Sequence, residues 1–179
     1  IFTVLGLMSG TSMDGADVSL IKTDGYDYFE QISNEFYEFN NELYKDLISL
    51  RKKINELKDL DENIVSIGEI EKKFTIFNAK IINEFVKKNG SKPELIGFHG
   101  QTVYHNVKEK ISKQLGDGNL LSQLTNCTVV NNFRKHPLRE DEVLHLTLQM
   151  AHAIEYLHRH APPVAHRDVK LENFCLSDD

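Results

Sequence analysis

The chain has 179 residues, 40% of them hydrophobic and 27% charged, as in ordinary globular proteins. A net charge of -6 argues against nonspecific nucleic-acid binding, which runs on clustered Lys and Arg. No apolar run approaches the roughly 20 residues of a membrane span, so no membrane partner is expected.

The length suits one domain, or one domain and a fragment. The chain opens on Ile1 rather than Met, which predicts that a few residues precede it. The first basic residue, Lys22, follows the opening apolar stretch instead of leading it, so no signal peptide is expected. Cys127 and Cys175 have neither a disulfide framework nor zinc-ligand spacing. Two reduced thiols and a cytoplasmic location follow from that reading.

Residues 1–39 predict strands. "FTVLGLM" is apolar, and "ADVSLIKT" alternates, with Val18 and Leu20 on one face and Asp17, Ser19 and Ile21 on the other. "YDYFEQISNEFYEF" is rich in aromatic and β-branched residues, and Asp24-Gly25 suits a two-residue hairpin turn. A three-strand antiparallel meander is predicted. Residues 40–90 change period. Leu43, Leu47, Leu50 and Ile54 recur at helical steps, and so do Ile67, Ile70, Phe74, Phe77, Ile81 and Phe85. Two amphipathic helices are predicted, the second stopped by Asn89-Gly90. "ELIGFHGQTVYH" then reads as a strand and loop, "LGDGNLLSQLTN" as a turn and short helix, and "CTVVNNF" as a strand. The order to residue 134 is that of an α/β layer fold.

Near Lys135 the composition shifts. Before it lie thirteen of fourteen Ile and thirteen of fourteen Asn; from there on lie six of eight His and three of four Pro. Several residue types changing at one point predict two coding histories joined near Arg134 and Lys135. Two segments are therefore expected, 1–134 and 135–179. In the second, Val143, Leu146, Met150, Ile154 and Leu157 form the stripe of a helix over about 142–160, ended by Pro162-Pro163.

"SGTSMDGAD", Ser9 to Asp17, sits between the first two strands and holds what a phosphate needs. Gly10 and Gly15 permit turns whose backbone N–H groups donate, Ser9, Thr11 and Ser12 add hydroxyls, and Asp14 or Asp17 could hold Mg²⁺. No Gly-Lys-Ser/Thr follows, so it is not a P-loop, and spacing alone favours a plain hairpin turning at Asp14-Gly15.

Three ordered blocks carry a resemblance: "GLMSGTSMDGADVSL", "IGFHGQTVYH" with its Gly-x-His-Gly-Gln-Thr segment, and "QLGDGNLLSQLTNCTVVNNFR". Together, across residues 4–134, they resemble the anhydro-N-acetylmuramic acid kinase family. The resemblance implies a partial actin/hexokinase-like (ribonuclease H-like) ATPase lobe, followed here by a helix-loop tail. It implies ATP- and Mg²⁺-dependent phosphorylation of a small amino sugar, 1,6-anhydro-N-acetylmuramic acid, in cell-wall recycling, with water opening the anhydro ring. It places ATP on Gly10, Thr11, Ser12, Met13, Asp14, Gly15, Ala16 and Asp17, with Asp14 as Mg²⁺ ligand and His99 and Gln101 lining the sugar site. The sequence departs from the family at Asn132, where Asp is usual before Phe-Arg, and lacks the Asp-Thr-Gly-Pro-Gly-Asn block that supplies the general base. Binding with little turnover, and self-association through lobe surface left unburied, are the expectations.

"HRDVKLEN", His166 to Asn173, resembles the protein-kinase catalytic loop in all five specified positions. That alternative makes Asp168 the acceptor of the substrate proton, Lys170 its electrostatic partner and Asn173 a Mg²⁺ ligand. No Gly-rich loop precedes it and no Asp-Phe-Gly follows, so a passenger segment, or a wholly non-enzymatic chimera, is the third reading.

Overall fold

The computed structural model describes residues 1–106, 108–109 and 111–133. The tail helix and the His166 to Asn173 loop expected from sequence lie outside them.

The chain begins with the meander its alternation predicts. Strands β1 (Phe2–Met8), β2 (Gly15–Thr23) and β3 (Phe29–Glu38) pair antiparallel, Leu5 opposite Leu20 and Val18 opposite Glu35. The β2–β3 connection is longer than the two-residue turn expected. Residues 24–28 form a loop in which Asp24 Oδ1 accepts from the backbone N–H of Tyr26 and of Tyr28, with Gly25 at φ 83°. The Asp side chain substitutes for the tight turn by capping two amides of its own loop.

Three helices follow where two were predicted: α1 (Asn41–Lys53), α2 (Leu57–Glu62) and α3 (Ile64–Asn89). Asn40 caps α1 by accepting from Leu43 N. Ile54, the last residue of the expected stripe, ends the helix and is buried just past it. Gly90 ends α3 in the left-handed conformation at φ 65°, as Asn89-Gly90 predicted. From solvent, Lys73 of α3 pairs with both Glu42 and Asp46 of α1, and the two carboxylates, Asp46 foremost, hold its ammonium above the usual amine range.

Strand β4 (Leu95–Phe98) returns parallel to β1, with Leu5 opposite Ile96. After it comes a hairpin, β5 (Gln101–Asn106) with β6 (Ile111–Leu115), where the sequence suggested only a loop. Helix α4 (Gly118–Thr125), capped by Asp117, leads to β7 (Thr128–Asn131), parallel to β4. The main sheet runs β3-β2-β1-β4-β7, mixed antiparallel and parallel.

One sheet face carries Leu5, Leu7, Ala16, Val18, Leu20, Ile96 and Phe98, all buried in one core with Leu43, Leu47 and Leu50 of α1 and Phe74 and Phe85 of α3. The register puts Phe2, Met8, Phe36 and Val130 on the opposite face, and these are exposed. At the core's centre Phe74 stacks on Phe98 with ring centroids 5.9 Å apart and meets Phe39 edge-on at 5.8 Å.

Three tyrosines donate to carboxylates. Burial, and then donation to Glu35, pushes the Tyr37 hydroxyl up to about 12. Tyr28 and Tyr104 are raised as well, chiefly by donating to Glu30 and Glu109, each at 2.6 Å. The folded state thus keeps protons that the unfolded chain releases near pH 10. Stability is full below that pH and falls as pH rises toward about 12. A denaturant midpoint followed from about pH 9 to about pH 12 should drop, and drop less steeply in Tyr37→Phe. A midpoint flat across that window would contradict the assignment.

Candidate functional site

The parallel strands β1, β4 and β7 end level with one another, Leu7 opposite Phe98 and Phe98 opposite Asn131. The loops after β1 and β4 therefore lie beyond the carboxyl edge of the sheet, where ligands of open α/β sheets bind, and the turn at 116–118 lies against the ends of β4 and β7. Each loop belongs to one of the three blocks singled out in the sequence.

The first loop is residues 9–14. Met8 ends β1 and Gly15 already opens β2, so Asp14-Gly15 is not the turn. The reversal is made at Gly10 to Met13: Met13 N donates to Gly10 O at 3.2 Å, and Met13 has φ 57°. A left-handed Met costs energy, and it is held by burial of its side chain, 2% exposed. Gly15 has a separate reason to be glycine: a Cβ there would overlap the Phe36 ring and Tyr37 O. Thr11, Ser12 and Asp14 are exposed, and Ser12 Oγ donates to Asp14 Oδ1 at 2.6 Å. Asp14 O accepts from Phe39 N at 2.8 Å, which ties the loop to the end of β3. Of the expected residues, Ser9, Met13 and Ala16 are buried, with Met13 and Ala16 in the core, and Asp17 lies on the open sheet face opposite Met8.

The second loop is His99 and Gly100. His99 N donates to Leu7 O at 3.5 Å, and its ring Nδ1 is 2.9 Å from Gly100 O. Gly100 has φ 78°, and a Cβ on it would overlap Leu115 O. Gln101, expected to line a sugar site, is completely buried, and its Nε2 donates to Gly10 O at 3.0 Å. His105 is exposed on β5.

The third block meets the second. A Cβ on Gly116 would come within 2.7 Å of the Phe98 ring and 3.5 Å of Gly100 Cα. A Cβ on Gly118 would overlap the Asn131 side chain, so the turn before α4 lies directly on the end of β7. Asn132, at the place of the family's usual Asp, follows with φ 61°, a conformation Asn tolerates better than most residues.

Sequence reasoning missed the support beneath this turn. Glu71 Oε1 accepts from Gly116 N at 3.1 Å and Thr75 Oγ1 from Asp117 N at 3.0 Å. Glu71, Thr75 and Asn78 recur at steps of four and three along α3, and Thr75 and Asn78 are wholly buried. A polar line at helical spacing inside an apolar helix was the available signal.

Among the described residues no three His, Cys, Asp or Glu side chains converge on a metal position. A divalent cation at the first loop would therefore have Asp14 as its carboxylate and take other ligands from phosphate and water, as Mg²⁺ does. The donor set fits such an ion beside phosphate: exposed hydroxyls on Thr11 and Ser12, a Gly-permitted turn and one solvent-facing carboxylate. No described helix is long and apolar enough to cross a membrane. Asp168, Lys170 and Asn173 lie outside the described residues.

Sheet order, level strand ends and converging loops fit the lobe of an actin/hexokinase-like ATPase. The sequence profile of the Anhydro-N-acetylmuramic acid kinase family matches residues 2–140. The chain belongs to this family. It is 51% identical over 137 residues to the "Anhydro-N-acetylmuramic acid kinase" of Pelagibacter ubique, covering 76% of this chain and 36% of that protein. The protein of that name from Brucella canis is 34% identical over 138 residues, 75% and 37% of the two chains, and that from Rhizobium etli 35% over 139, 76% and 38%. The chain thus spans little more than a third of the length of these relatives.

Proposed function

We propose that this chain is the phosphate-binding lobe of an anhydro-N-acetylmuramic acid kinase, acting in the cytoplasm in cell-wall recycling. The supporting observation is the convergence of the three blocks: loop 9–14, His99-Gly100 and the turn 116–118 meet beyond the ends of parallel strands. Thr11 and Ser12 would take the phosphates through hydroxyls and backbone amides, and Asp14 would hold Mg²⁺ through water. Bound MgATP supplies the transferable phosphoryl group and neutralises its charge. His99, half-buried beside Gly100, is the residue we assign to the amino sugar.

A calorimetric titration with MgATP tests the assignment. Asp14→Asn should weaken binding at least about tenfold, the usual worth of a hydrogen-bonded charge. Binding that ignores this substitution overturns the cradle.

For residues 135–179 we propose a separate origin. The composition break at Lys135 and a family match that stops at 140 support it. The motif His166 to Asn173 supports a protein serine/threonine kinase source, with Asp168, Lys170 and Asn173 in its loop. A genomic and cDNA read across the codons for Arg134 and Lys135 decides between a continuous gene and a junction of two.

A further inference from the structure

Gln101 has no exposed surface, and the two ends of its amide are used unequally. Nε2 donates to Gly10 O at 3.0 Å and approaches Thr102 O at 3.4 Å. Oε1 is buried and has no hydrogen-bond donor among the described residues. Turning the amide over would set an oxygen against two carbonyl oxygens, so its orientation is determined.

An acceptor buried without a donor weakens folding. Methionine would fill the same space without that penalty. The amide is therefore kept for what Nε2 does, and Nε2 acts on loop 9–14. Gly10 O now holds two donors, Gln101 Nε2 and Met13 N. In a trans peptide the carbonyl and the following N–H point in opposite directions. With Gly10 O held inward, the Thr11 N–H is turned outward, and Thr11 is exposed. An outward amide in a turn is the donor that phosphate oxygens accept.

We infer that Gln101 is a positioning residue rather than a sugar ligand. It reaches across 91 residues of sequence to fix the Gly10–Thr11 peptide with its N–H presented to a bound phosphate. The inference deepens the phosphate-binding reading above and rests on it.

The test uses the full chain, labelled with ¹⁵N and titrated with MgATP, as wild type, Gln101→Met and Gln101→Leu. Both variants lose the donor and place no charge in the buried position; the leucine variant serves should the methionine variant fail to fold. The expected result has three parts. MgATP binding weakens about tenfold, the worth of one hydrogen bond or slightly more. The Thr11 amide resonance moves and the Met13 amide exchanges faster with solvent. The unfolding midpoint of Gln101→Met stays near that of wild type, because the orphaned acceptor is removed with the donor. A merely structural glutamine would instead lower that midpoint and leave the Thr11 resonance of the folded fraction in place. Equal MgATP binding by wild type and variants overturns the positioning role while leaving the phosphate site standing. No MgATP binding by wild type overturns the phosphate site, and the purpose assigned to Gln101 with it.

Discussion

Phe74→Ala should cost about 3–5 kcal/mol of folding stability, the usual price of deleting a buried aromatic ring. The ring is fully buried, stacks on Phe98 and meets Phe39 edge-on, so its removal leaves a cavity between α3 and the sheet. Neighbouring side chains can collapse into such a space only partly, because cores are close-packed. A domain of ordinary stability has about 5–15 kcal/mol in total, so the variant should be marginal. Urea denaturation followed by circular dichroism measures this. A loss below about 1 kcal/mol would mean that the cavity refills and that Phe74 is not central to the core. The consequence reaches the site as well, since Phe98 is the last residue of β4 and His99 the first of the loop it carries.

Gly100→Ala should be nearly as damaging for a different reason. At φ 78° an alanine sits in the left-handed region, and its Cβ would overlap Leu115 O, a backbone atom of the paired strand. The expected loss is roughly 2–5 kcal/mol, combining about 1–2 for the backbone conformation with about 1–3 for the overlap. Gly25→Ala separates the two contributions. Gly25 has φ 83° but nothing within 4 Å of the added carbon, so it should show only the backbone cost. Equal losses at the two positions would mean that the β6 backbone yields to the methyl group without resistance.

Legibility in the sequence followed the range of the interaction. The α3 stripe was readable because Ile67, Phe74, Ile81 and Phe85 are buried by a periodicity that their own helix creates. The faces of β2 were readable for the same reason, Val18 and Leu20 being buried and Asp17 exposed. The β5–β6 hairpin was not, because the residues joining it, "VKEK", include neither Gly nor Asn nor Pro to announce a turn. Asp24-Gly25 announced one, yet the two amides bonded to the Asp24 carboxylate stabilise a wider loop instead. Within the candidate site, the composition of loop 9–14 was visible, but its shape was not. That shape depends on Met13 being buried and on Gln101 arriving 91 residues later, just past the neighbouring strand β4. The block motifs marked loops that the fold brings to one edge of the sheet, and only the fold could show that a glutamine bonds to one of them.

The parallel pairing of β1 with β4 also sets an order on assembly. Val4 waits for Leu95, and Gly10 for Gln101, whereas β1, β2 and β3 find one another within the first 38 residues. Closing the longer loop carries the larger entropy cost, and contacts so distant in sequence form late. During synthesis the meander and its first helices therefore precede the clamp on loop 9–14. A nascent chain that has not yet reached Gln101 contains every residue of that loop, but not the contact that fixes its shape.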